Sequence, residues 1–353
     1  MEASADSDDE FWILALSGGG YRGLYLATVL DELEKRAGQK LAEKFDLIAG
    51  TSVGGIVALA LAKKISAMSV RNLFEEHGPR IFAARPLPSL GVRAKLLLRF
   101  LPMDLKEIYA ALSPSLFHAK YEATYIKSLL ERDLYFSDAT FADLNHRLIV
   151  PTVNYTKGEP QFFKTPHHPR FERDIKVRLV DAALATSAAP TYFPLHRFDD
   201  SRYVDGGLIA NDPTMVAVHE AVHILGIPFE KIHVLSIGTM NTRVNADTSQ
   251  GADFGLVDWK ADIFHLTINA QEAMTHSMMK HALGERYLKI DTPLSNQQAD
   301  LVGFDKVTKA AIEALRGQAK IAVQEKISHA VVQKWLAHVA KRPKMFHGKF
   351  ANV

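Results

Sequence analysis

Three stretches of this chain carry residue types whose spacing can do chemistry. LIAGTSVGGIVAL, from Leu47 to Leu59, sets one hydroxyl among glycines where an apolar strand runs into an apolar helix. Gly50, Ser52 and Gly54 spell G-x-S-x-G there, the nucleophile elbow, in which a serine stands on a strained turn and small neighbours let two backbones approach. The plainer alternative is a tight turn in which Thr51 or Ser52 caps the helix. SGGGYRG, from Ser17 to Gly23, contains G-x-G-x-x-G through Gly18, Gly20 and Gly23. Free backbone N–H groups at such a helix start can cradle a phosphate or an oxyanion. HEAVH, from His219 to His223, puts two imidazoles on one helical face, where a zinc hydrolase would hold its metal and use Glu220 as base.

Each motif makes a further demand on the chain. A dinucleotide site needs an acid at the end of the next strand to hold the ribose. That strand ends Ile48-Ala49-Gly50, and the nearest acid, Asp46, lies at its beginning. The loop also lacks the G-K-[ST] ending of a triphosphate-binding loop. A zinc site needs a third ligand. Gly226 falls where the extended zinc-protease motif wants it, but the next histidine position is Phe229. The serine motif has its context complete, because GGIVALALA can turn its helix dipole toward the hydroxyl. Its base is less clear. Asp205 ends a short strand and is followed by Gly206 and Gly207, a turn able to bring a carboxylate against another backbone, though Asp-Gly also makes simple Asx turns. The histidines after Asp205 sit in no marked loop, so a Ser–acid–His triad stays open at this level.

The elements that must position these residues read as α/β. Phe11–Leu16, Phe45–Ala49, Leu148–Asn154, Gln161–Lys164, a short run ending at Asp205, and Ile232–Ile237 read as strands. Leu24–Arg36, Gly54–Lys64, Lys176–Thr186 and Pro213–Leu225 read as helices, and from Val257 the chain is mostly helical, with a long amphipathic stretch from Lys306 to Ala340. Two successive strand–glycine turn–helix units imply a parallel sheet with helical crossovers. The chain has 353 residues, a net charge of +2 and no cysteine, so disulfide and thiolate chemistry are excluded and nucleic acid is not the expected partner. The start, MEASADSDDE, is acidic, unlike a secretion signal, and no apolar run approaches the roughly 20 residues of a membrane span. A cytoplasmic protein is expected. GVRAKLLLRFLPM, from Gly91 to Met103, reads either as a segment lying on an anionic bilayer or as a buried cap helix with snorkelling basic groups.

GGGYRG, GTSVGG and DGG in this order, with SAAPTYFP before the third, NDPTMVAVHEA after it and SIGT after the next strand, resemble the patatin-like phospholipase family. The resemblance runs from about Ile13 to Thr239. It implies a three-layer, α/β-hydrolase-related fold with a central, mainly parallel sheet and added helices. The implied division is an acidic tail over 1–10, a catalytic domain over 11–240 with a variable cap over 66–146, and a helical extension over 241–353 packed on the same domain. It implies a Ser52–Asp205 dyad without histidine and an oxyanion hole from the N–H groups of Gly18, Gly19 and Gly20. Arg22, Gly23, Gly50, Gly54, Gly206 and Gly207 would shape the turns. The implied activity is release of fatty acids from membrane phospholipids with no cofactor and no metal, by a protein peripheral at the inner face of the membrane. Compact members of this kind resemble bacterial antiviral effectors switched on by a cyclic di- or trinucleotide, and a homodimer fits the same picture. An unregulated lipid acyl hydrolase, a zinc metallohydrolase on HEAVH and a non-catalytic nucleotide-binding module are the competing readings.

Overall fold

A computed structural model describes residues 10–85, 118–132, 134–240, 253, 259, 262–294 and 301–351. The acidic tail up to residue 9 and the Gly91–Met103 stretch lie outside the described residues. Short runs dominated by apolar residues become strands buried on both faces. These are Phe11–Leu16 (β1), Leu47–Gly50 (β2), Leu148–Asn154 (β3) and Ile232–Ile237 (β7), joined by Glu159–Lys164 (β4), His196–Phe198 (β5), Ser201–Asp205 (β6) and Tyr287–Ile290 (β8). They form one sheet in the order β5-β6-β3-β2-β1-β7-β8, with β4 paired to β3. The run β3-β2-β1-β7-β8 is parallel. β4, β5 and β6 add an antiparallel wing beside β3.

Register is what matters for function. Leu16 pairs with Gly50 on one side and with Ile237 on the other, and Ile237 pairs with Ile290. Four parallel strands therefore end level, and the segments that leave them (Ser17 onward, Thr51 onward, Gly238 onward and Asp291 onward) emerge on one edge. Ligands of open α/β sheets gather at that carboxyl edge.

Helices among the described residues are Gly23–Ala37 (α1), Val53–Ala62 (α2), Ala67–Ile81 (α3), Thr124–Leu130 (α4), Leu179–Thr186 (α5), Gly207–Ala210 (α6), Thr214–His219 (α7), Asp262–Leu283 (α8), Lys309–Lys326 (α9) and Ala330–Ala337 (α10). Side chains alternate across β1, so Trp12, Leu14 and Leu16 enter a core with α1, α2, α9 and α10. Phe11, Ile13 and Ala15 enter a second core with α7 and the end of α8. Covering both faces is what allows an uninterrupted apolar strand. Among the described residues no helix is long and apolar enough to cross a membrane.

Several sequence expectations shift. α3 opens the region 66–146, for which the sequence names no element of its own; Pro79 is tolerated in its last turn, and the Ser66 hydroxyl caps its start by accepting from the Ser69 N–H at 3.2 Å. The expected helix Pro213–Leu225 is α7 followed by a single π turn, Glu220–Ile224. The stretch Lys306–Ala340 divides into α9, capped by Thr308, and α10, capped by His329. β8 was not expected within a helical stretch, because four residues, YLKI, are too short to announce a strand.

The last helix is anchored deeply. Trp335 is fully buried and stacks on Phe45, ring centroids 5.4 Å apart at 21°. The Lys44 ammonium donates to the carbonyls of Leu336 and His338 at 2.8 and 2.7 Å, closing the helix end. Trp335→Ala should therefore cost about 3–5 kcal/mol of stability, read as a fall in the urea midpoint. A loss below about 1 kcal/mol would mean that α10 is dispensable to the core.

Candidate active site

Ser52 sits where β2 ends and α2 begins, with φ 55° and ψ −126°. A non-glycine residue held there costs of order 1–3 kcal/mol, so its neighbours must over-determine it. They do. The Thr51 N–H donates to Leu16 O at 3.1 Å and the Thr51 hydroxyl to Ala210 O at 2.6 Å. The Ser52 N–H donates to Thr186 Oγ1 at 2.9 Å, and that hydroxyl in turn donates to Pro151 O at 2.6 Å. A Cβ on Gly54 would stand 2.3 Å from Leu16 O, so only glycine lets α2 leave this close to β1. The Ser52 hydroxyl makes no capping bond to its own helix. It donates instead to Asp205 Oδ2 at 2.7 Å.

Asp205 reaches Ser52 because β6 pairs antiparallel to β3, with Thr152 opposite Asp205. The following turn is equally tight: a Cβ on Gly206 would lie 2.2 Å from Pro151 O. The Gly207 N–H donates to Asp205 Oδ1 at 2.7 Å, so both carboxylate oxygens are engaged. Asp205 is 1% exposed. Burial pushes its pKa up to about 7, against the opposing pull of the bonds from Ser52 and Gly207. A carboxylate that would be a feeble base in water is thereby matched to neutral pH.

The glycine loop lies beside this pair, with Gly18 packed against the Ser52 Cβ. The Gly18 N–H donates to Asn211 O at 3.1 Å and so is already engaged. Gly20 takes φ 59° and lines the cleft with Ser52. Arg22 is buried beneath the loop, donating from Nη1 to Met240 O at 3.0 Å and from Nε to Gly19 O at 3.4 Å. Gly23 lets α1 start against Val53, whose Cγ2 would be 2.4 Å from a Cβ there. Gly50 allows the same closeness inside the elbow, 2.2 Å from Gly54 O.

A cleft partly open to solvent leads from Ser52 between α2, α3, α4 and the Ser187–His196 segment. Its walls are nearly all apolar: Val53, Ile56, Leu73, Phe74, Ile126, Leu130, Leu184 and Phe193. Such a channel suits a hydrocarbon chain whose carbonyl end lies at the hydroxyl.

A family model described as Patatin-like phospholipase matches residues 14–218. The chain is 41% identical to a cGAMP-activated phospholipase of Pseudomonas aeruginosa (strain BWHPSA011 / Pa011), over 97% of each chain. It is 32% identical to a cGAMP-activated phospholipase of Vibrio cholerae serotype O1 (strain ATCC 39315 / El Tor Inaba N16961), over 87% of this chain and 89% of that one. It is 30% identical to Patatin-like protein 1 of Arabidopsis thaliana, over 86% of this chain and 79% of that one. The chain belongs to the patatin-like phospholipase family. It is thus a lipid acyl hydrolase, and the α/β reading of its sequence holds.

In this patatin-like phospholipase the competing motifs have other uses. His219 and His223 are exposed and lie side by side with ring centroids 4.8 Å apart and planes tilted by 44°, while Glu220 turns inward to Lys164 at 2.5 Å and His167 at 3.0 Å. Among the described residues no cluster of three metal-ligating side chains forms. The zinc reading fails on that geometry, since the would-be general base is locked in a buried ion pair. The dinucleotide reading of GGGYRG fails because the loop is pressed against Asn211, Thr239 and Phe304. Thr186, Asn211 and Thr239 were not singled out as site residues. Each lies in or beside a block noted for its pattern (SAAPTYFP, NDP, SIGT), but nothing in those blocks names a hydrogen-bond partner.

The Asp205 environment fixes two pH dependences. Turnover through an ionised Asp205 should rise with pH and level off above about 7. A folded pKa raised above 3.8 stabilises the protein at low pH, and that contribution is lost as pH rises through about 7. Asp205→Asn, which abolishes the charge, should be more stable than the wild type by several kcal/mol at pH 8 and by clearly less at pH 5, below the folded pKa of about 7. Denaturant melts at the two pH values check this; an Asn variant less stable than wild type at pH 8 would show that Asp205 is not a strained, desolvated charge.

Proposed function

We propose that this protein hydrolyses the acyl esters of membrane phospholipids through a Ser52–Asp205 dyad and is switched on by a cyclic dinucleotide. The observation that carries the reading is the 2.7 Å bond from the Ser52 hydroxyl to a desolvated Asp205 at the head of an apolar cleft. Ser52 Oγ attacks the ester carbonyl while its proton passes to Asp205. The carbonyl oxygen becomes an oxyanion held by the N–H groups of Gly19 and Gly20; Gly18, expected as a third donor, gives its N–H to Asn211 instead. Collapse expels the lysophospholipid alcohol, which takes the proton from Asp205. Water, deprotonated by Asp205, then attacks the acyl-serine, and collapse frees the fatty acid while Asp205 returns that proton to Ser52 Oγ.

The cyclic-nucleotide switch is supported by relatives named cGAMP-activated phospholipases that match nearly the whole chain. A lipase held silent until a second messenger arrives can reside in the cell whose inner membrane face it attacks, as an antiviral effector requires. A homodimer is compatible with this use.

Fatty-acid release from phosphatidylethanolamine–phosphatidylglycerol vesicles tests the reading, with and without cyclic GMP-AMP. Wild type should release fatty acid with the nucleotide present, and Ser52→Ala and Asp205→Asn should lose at least about 10³-fold. Release that ignores every cyclic nucleotide would keep the hydrolase and remove the switch. Full release by Ser52→Ala would remove the dyad.

A further inference from the structure

An oxyanion hole made of glycine N–H groups has a built-in weakness. Glycine populates both signs of φ, so a peptide in a glycine run can turn over cheaply. A turned peptide would present its carbonyl oxygen to the developing negative charge, replacing attraction by repulsion. Something outside the run must hold each peptide plane.

The peptide is planar and trans, so the N–H of one residue points opposite to the C=O of the residue before it. Whatever grips the Gly18 carbonyl therefore aims the Gly19 N–H. Two side chains converge on that oxygen: the Thr239 hydroxyl donates to it at 2.8 Å and the Asn211 amide at 3.4 Å. The Gly18 N–H is held as well, by the Asn211 carbonyl at 3.1 Å. The next plane is gripped in the same manner, since Gly19 O accepts from the Arg22 backbone N–H at 3.2 Å and from its Nε at 3.4 Å. Packing leaves little room for another arrangement. A Cβ on Gly18 would lie 2.4 Å from Asn211 Oδ1, and one on Gly19 would lie 2.1 Å from Thr239 Oγ1.

The Asn211 amide is itself oriented from the C-terminal third of the chain. Its Nδ2 donates to Glu272 Oε2 at 3.0 Å, and the other Glu272 oxygen accepts from Lys289 Nζ at 2.5 Å. Lys289 also donates to Asp212 Oδ2 at 3.2 Å. An ionised carboxylate only accepts, so Glu272 permits a single flip of the Asn211 amide, the one that turns Nδ2 toward Gly18 O. Asn211, Asp212 and Glu272 are all buried, and the Lys289 side chain is 9% exposed, so water offers this cluster little competition.

We propose that Thr239 and Asn211 are positioning residues that aim the Gly19 N–H at the oxyanion by clamping the Gly18 carbonyl, with Glu272 of α8 fixing the Asn211 amide. The proposal rests on Ser52 being the nucleophile. It assigns a catalytic consequence to a residue beyond the family match, which ends at residue 218, and makes β7, β8 and α8 part of the machinery rather than packing for it.

Steady-state hydrolysis of a soluble p-nitrophenyl ester tests it, using the full chain with cyclic GMP-AMP present. Thr239→Val and Thr239→Ala remove the hydroxyl, and Thr239→Ser keeps it. The Val and Ala variants should lose about 10- to 100-fold in kcat with KM within about 3-fold, the signature of an interaction made in the transition state. The Ser variant should stay within about 3-fold of wild type in both constants. Thermal melts accompany each variant, and Ala against Ser decides the matter if Val folds poorly, because those two differ by the hydroxyl alone. A hydroxyl-free variant turning over within about 3-fold of wild type would overturn the clamp, as would a Ser variant as slow as Ala. Ser52→Ala runs alongside: inactive Ser52→Ala with fast Thr239→Val removes only the clamp, whereas active Ser52→Ala removes the reading beneath it.

Discussion

Everything around the site serves a contact of 2.7 Å between a serine hydroxyl and a carboxylate that water scarcely reaches. Each half is unfavourable alone. The serine occupies a backbone region that side chains avoid, and the carboxylate is buried and, among the described residues, held by hydrogen bonds from Ser52 and Gly207 with no ion pair. Such a pair persists only if the scaffold fixes both ends more firmly than strain and desolvation push them apart. Here Thr51, Thr186 and the close glycines fix the elbow, and the β3–β6 pairing with the Gly206 turn fixes the acid.

The sheet supplies the common origin. Because β1, β2, β7 and β8 end in register, small displacements of one strand end are resisted by its neighbours. The glycine loop, the elbow and the Thr239 turn can then be held to within a hydrogen bond of one another without any of them being stiff by itself. The C-terminal region takes part in this. β8 extends the sheet, Phe304 O accepts from the Tyr21 N–H at 2.8 Å to close the far side of the glycine loop, and α10 seals one core through Trp335. A region that matches no family motif nonetheless completes the walls of the cleft, since Phe304 lines it.

How much of this was legible depended on whether the signal was local. β1, β3 and β7 were readable to the residue, because short runs of six or seven residues dominated by apolar side chains and bounded by glycine or polar residues have few alternatives. α3 was obscured by its proline, and β8 by its length. HEAVH left two readings open for a related reason. Spacing puts two histidines on one face, but only the surroundings say that the face is exposed and that Glu220 is claimed by Lys164 and His167.

The sequence alone determined the α/β class, the strained serine turn, the glycine loop and Asp205 at a strand end, because each is written in a few adjacent residues whose backbone demands are local. It also carried the resemblance that joined Ser52 to Asp205. Only the tertiary structure decided which partners those residues meet across 153 positions of chain, that Gly18 spends its N–H on Asn211, and that Thr239 and Glu272 stand behind the loop. The reason is physical: local sequence sets φ, ψ and face, whereas distance between remote side chains is set by strand register and core packing, which no single segment encodes.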